Sequence, residues 1–162
     1  MDLFTGIRKG VFKPATIFYA LVGVLVVIAC VIAIPVPRNM MLIFFLIFGT
    51  AFFLLGLALI FFTLKQKVRG WLKKFLILTG ASSSGFFIFA ILHNVIYGLF
   101  ILLFGEEFWN FCGGDEPFFF IIAVLVCPIG FLVGVVGSIV LLIKNSKNKK
   151  GNDQFQKHQL LP

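Results

Sequence analysis

Four long apolar runs alternate with short polar or basic breaks along this chain, covering 15–34, 41–64, 75–104 and 118–143. A helix rises 1.5 Å per residue and the hydrocarbon of a bilayer is about 30 Å thick, so about 20 apolar residues suffice to cross it. Each run therefore predicts a transmembrane helix. The first just fits, and the second and fourth have length enough to tilt. The third is longer than needed and is expected to tilt, protrude, or break near Gly98 or Gly105.

Punctuation residues set the predicted boundaries. Pro14 and Pro117 stand where a first helical turn lacks N–H partners anyway, so they mark the starts of the first and fourth spans. Asp115 or Glu116, just ahead of Pro117, suits the positive end of that helix. Pro35 and Pro37 end the first span in a tight hairpin, and Gly113-Gly114 predicts a turn. Inside the fourth span Pro128 removes the hydrogen bond to the Val124 carbonyl and predicts a kink. From Asn145 the chain turns polar and lysine-rich, and 145–162 is expected to be a disordered tail.

Composition closes off the alternatives. The chain is 60% hydrophobic and 12% charged, carries 23 phenylalanines, and has a mean hydropathy of +1.10. A water-soluble globule and a disordered chain both need far more charge. The expected fold is an all-α integral membrane protein with one domain, 1–144. Its four transmembrane helices form an antiparallel bundle.

Charge adds orientation. Of the 14 basic residues, 13 fall in the N-terminal segment, the 65–74 loop or the tail, all on one side of a four-span chain. The other side has Arg38 alone, with Glu106, Glu107, Asp115 and Glu116. The positive-inside rule places both termini in the cytoplasm and the acidic loop 105–117 outside, in a plasma membrane. The net charge of +8 then points to anionic lipid headgroups on the cytoplasmic side. Nucleic acid is not an expected partner, because no basic face is interleaved with readout residues. Trp71 and Trp109 fall at the two interfaces, where indole rings anchor helices. The segments Ile7-Arg8-Lys9-Gly10-Val11-Phe12-Lys13 and Val68-Arg69-Gly70-Trp71-Leu72-Lys73 introduce the two spans of equal direction in similar words, a likeness that fades inside the spans. Either an old duplication or a shared interfacial composition gives that likeness.

Candidate chemistry is sparse. No Asp, Glu, Lys or Arg lies within the four runs, which argues against a proton relay. In size and span number the chain is similar to the small multidrug exporters, but those rely on a carboxylate in the first helix and none stands here. The membrane enzymes that oxidise thiol partners share the four-span layout but need paired outer cysteines. Here Cys112 has no C-x-x-C partner.

A possible intramembrane polar site comprises Ser82, His93, Asn94 and Tyr97. At 100° per residue Ser82, Phe89, His93 and Tyr97 share one helix face. Such a stripe packs helices through hydrogen bonds, holds a solute or cofactor, or, if the third span ends early, leaves His93 among hydrated headgroups. A lone histidine is weak evidence for a metal, and neither metal nor cofactor is expected. Gly130, Gly134 and Ser138, with Gly137 adjacent, form a small-residue face suited to close helix packing. Val27-Ile28-Ala29-Cys30 resembles a lipobox, so lipidation at Cys30 stands as a minor reading beside a full-length span.

No catalytic signature of the hydrolase, zinc-protease or phosphate-loop kinds is present. The leading expectation is a small non-catalytic accessory or assembly subunit of a membrane complex. It would bind another membrane protein, or itself, through the glycine face of the fourth span. The alternative is a small oligomeric transporter or channel for an uncharged solute, lipid or ion.

Overall fold

Proline and glycine delimit the helices much as the hydropathy pattern requires. The computed structural model describes residues 13–34, 37–66, 68–111 and 117–159. The first span is Pro14–Ala33, the second Arg38–Lys65 and the third Trp71–Phe104. The fourth is one helical rod, with Pro117–Ile121, a π turn at Ile122–Val126, and Cys127–Gln159 in succession. A short helix, Glu107–Phe111, lies between the third and fourth spans. No strand occurs among the described residues, and all four long helices are long and apolar enough to cross a membrane. The chain is an all-helical, multi-pass membrane protein.

Each end has a local cause. Pro14 opens the first span, and the Lys13 carbonyl accepts hydrogen bonds from the Thr16 and Ile17 N–H groups. The third span runs unbroken through Gly98. It stops at Gly105, whose φ of +86° is open to glycine and strained for other residues. The Gly105 N–H closes the last turn on the Ile101 carbonyl. At 1.5 Å per residue this helix is about 50 Å long, so it tilts or protrudes rather than breaking.

The distortion expected at Pro128 takes a specific form. Upstream of it the helix widens into the π turn, where the Cys127 N–H reaches back five residues to the Ile122 carbonyl. A proline ring crowds the carbonyl four residues before it and offers no N–H, and a wider turn relieves both. The last helix continues past Asn145 to Gln159. A formed helix extends without a new nucleation cost. Lysine and glutamine favour it, and no proline interrupts before Pro162.

Consecutive spans pack side by side, and the third is central, resting against both the second and the fourth. The helix ends flanked by Lys13, Lys65, Lys73 and Lys144 come together through Ile17, Leu59, Leu76 and Ile139. This basic end holds the core, with Phe18, Leu21, Leu59 and Leu76 almost fully buried. Toward the opposite, acidic end the packing loosens. Past Leu21 no residue of the first span is buried, and none of 40–48 in the second.

Candidate functional site

The polar segment at 79–85 of the third span decides how the helices meet. Thr79, Gly80, Ser82, Ser83, Ser84 and Gly85 are all buried there. Hydroxyls in a helix can bond the carbonyl a turn back, which hides their polarity in lipid. Thr79 Oγ1 donates to the Phe75 carbonyl at 2.9 Å, and Ser83 and Ser84 both donate to the Gly80 carbonyl at 3.0 Å. With polarity satisfied within the helix, these small side chains let neighbouring backbones approach.

Two seams result. On one, a Cβ at Gly80 would sit 2.8 Å from the Gly56 carbonyl oxygen. A Cβ at Gly56 would collide with the Ser83 and Ser84 hydroxyls. On the other, Gly130 faces Ser82, Gly134 faces Thr79, and Gly137 faces the Phe75 ring. Ser138 is also fully buried. The glycine face of the fourth span, which sequence reasoning offers to a partner, is therefore occupied by this chain's own third span. The sequence reading missed Gly56 and Gly49 on the second span. Their seven-residue spacing, two helical turns, was the available signal.

The face carrying Ser82, Phe89, His93 and Tyr97 continues this second seam outward. Phe89 stacks on Phe119 with ring centroids 6.2 Å apart, and His93 tilts against Phe120 at 5.6 Å. Tyr97 stacks on Trp109 at 5.5 Å, and Trp109 Nε1 donates to the Tyr97 carbonyl. The short helix thus folds an aromatic cap over the acidic end, where Phe100 also meets Phe108 and Trp109. Asn94 points elsewhere, since its Nδ2 donates to the Ala90 carbonyl at 2.7 Å and the side chain is exposed. Ser82, His93, Asn94 and Tyr97 therefore do not converge on one site.

Trp71 is exposed at the opposite end of the third span, with Lys74 Nζ 4.4 Å from its ring centroid. That cation–π contact suits an interfacial anchor. Cys30 is exposed on the first span and Cys127 is buried in the fourth. Cys112, the Gly113-Gly114 turn, Asp115 and Glu116 lie outside the described residues, as do Arg8, Lys9 and Pro35. Among the described residues no three His, Cys, Asp or Glu side chains gather as a metal site would require.

A cavity of about 320 Å³ draws on all four spans. Leu25 and Ile28 supply its first-span wall, Phe45 and Phe52 its second, Phe86 its third and Phe131 its fourth. It is lined from within each span, just beyond the tight core and beside the π turn. Its lining is almost wholly apolar, so its chemistry is that of hydrocarbon recognition.

The chain matches no protein-family model, no curated protein and no solved structure.

Proposed function

We propose that this protein is a small non-catalytic accessory or assembly subunit of a membrane complex. Its spans would form an antiparallel bundle in a plasma membrane, with both termini in the cytoplasm and loop 105–117 outside. The observation that supports this reading is what the polar groups of the spans do. The hydroxyls at 79, 83 and 84 bond their own helix and the glycines bring backbones together, so polarity serves assembly of the fold. His93 belongs to an aromatic seam. The gathering of basic-flanked helix ends at one pole fits the positive-inside orientation.

A partner would meet the loosely packed acidic half, where the first two spans expose unbroken apolar surface and Glu106 and Glu107 are exposed. In lipid such surface gains by packing against another helix through van der Waals contact. The glycine seam is not available for this. Replacing Gly130 or Gly134 would cost the fold before it cost a partner.

The experiment is reconstitution of the purified chain beside its native extract. As a subunit, it should transport no uncharged solute, lipid or ion when alone in vesicles. Gentle extraction from its own membrane should recover a membrane protein with it at fixed stoichiometry. Flux by the chain alone would transfer the case to the transporter reading.

A further inference from the structure

We infer that the mid-membrane cavity is a binding site for one acyl chain of a membrane lipid, which enters laterally from the acidic-end leaflet. The inference stands apart from the subunit reading and needs no partner. It rests first on the lining. Phenylalanines form the floor, with Phe52 and Phe131 centroids 5.4 Å apart and Phe52 and Phe87 at 6.5 Å. Gly49 keeps that floor open, because a Cβ there would already lie 3.3 Å from the Phe87 ring.

Size and setting then narrow the occupant. An apolar cavity does not hold water, which needs polar partners. A helix about 10 Å across does not fit in 320 Å³. Taking each methylene at about 30 Å³, near the volume of a water molecule in the liquid, the space holds roughly ten methylenes of an unbranched tail.

A second apolar cleft, of only about 10 Å³, shares Ile28 and Phe45 with the cavity and marks the seam between the first two spans past Val31, Ile32, Met41 and Phe44, so a tail entering here parts those two spans. That cleft leads toward the acidic end, where no residue past Leu21 in the first span and none of 40–48 in the second is fully buried. A tail reaching the cavity by this path leaves its headgroup at the acidic-side surface.

The test uses the full chain in dodecylmaltoside, titrated with dioleoyl phosphatidylcholine and read by native mass spectrometry. Wild type should saturate at one firmly retained lipid per chain. Ile28→Trp combined with Leu132→Trp, which narrows two walls, should lower retention at least tenfold. Leu102→Trp, on an exposed face far from the cavity, should leave it unchanged. Equal retention in all three, or an unsaturating ladder of lipids on wild type, would overturn the site.

A second measurement guards against misfolding of the double variant. With Trp71 and Trp109 replaced by Phe, tryptophan is placed at Phe86 or at Leu102, and a minor fraction of brominated-chain phosphatidylcholine is added. A held chain quenches the Phe86→Trp reporter at lower brominated fraction than the Leu102→Trp reporter. Identical quenching curves would contradict the inference.

Discussion

Gly134→Ala, set against Gly23→Ala, tests the packing argument with one methyl group in two places. At Gly134 the new Cβ would lie 2.5 Å from Thr79 Oγ1, 2.8 Å from the Thr79 nitrogen and 3.1 Å from the Phe75 carbonyl oxygen. Two of those three neighbours are backbone and have no rotamer to escape into. Ordinary contact begins near 3.4 Å, so the third and fourth spans must part by about half an ångström along the seam. A gap of that order forfeits roughly a quarter of each contact's attraction, and overpacking of this kind costs about 1–3 kcal/mol. At Gly23 nothing lies within 4 Å, so alanine only removes backbone freedom and should stabilise by about 0.5–1 kcal/mol. The two variants should thus differ by about 1.5–4 kcal/mol, with opposite signs. Thermal unfolding in detergent can be followed by maleimide labelling of buried Cys127, in a Cys30→Ser, Cys112→Ser background. Equal midpoints, or stabilisation by both alanines, would refute the close approach of these helices.

Three further outcomes follow from particular contacts. Thr63 Oγ1 is buried without a hydrogen-bond partner, so Thr63→Val removes an unmet polar group and should stabilise by about 1 kcal/mol or more; a loss of that size would reveal a partner for the hydroxyl. Trp109→Ala deletes the ring stacked on Tyr97, at about 0.5–1.5 kcal/mol per aromatic pair, and should raise amide hydrogen exchange across 105–111 while sparing the basic-end core. Unchanged exchange there would mean the cap is not held by its rings. His93→Phe keeps a ring against Phe120 and should leave both stability and any native partner in place; loss of the partner from a folded variant would give the imidazole its own role.

The spans were legible because hydrophobic length and basic flanks are local properties of the sequence. Pro14 marked a helix start through backbone geometry alone, and the structure agrees there; Gly105, read as a possible break, is where the third span ends. Pro128 announced a distortion, but proline chemistry does not choose between a kink and a π turn. The glycine face of the fourth span was visible as a packing surface. Its partner was not, because small residues permit close approach without naming the helix that approaches. Only tertiary contact shows that Thr79 and Phe75 fill it. Ser82, His93 and Tyr97 share a face as periodicity requires, whereas Asn94 turns to the Ala90 carbonyl, a choice of side-chain bonding that periodicity does not carry. The cavity left no sequence signal beyond abundant phenylalanine. A void depends on where side chains stop, and a list of apolar residues does not record that.

The central functional claim is that the chain works in the company of another membrane protein. Native mass spectrometry of the tagged, full-length protein, gently extracted from its own membrane, tests this most directly. The expected spectrum shows a complex in which this chain and a second membrane protein appear in one fixed ratio. That complex should survive His93→Phe. A spectrum containing only this chain, as monomer or closed homo-oligomer, would contradict it.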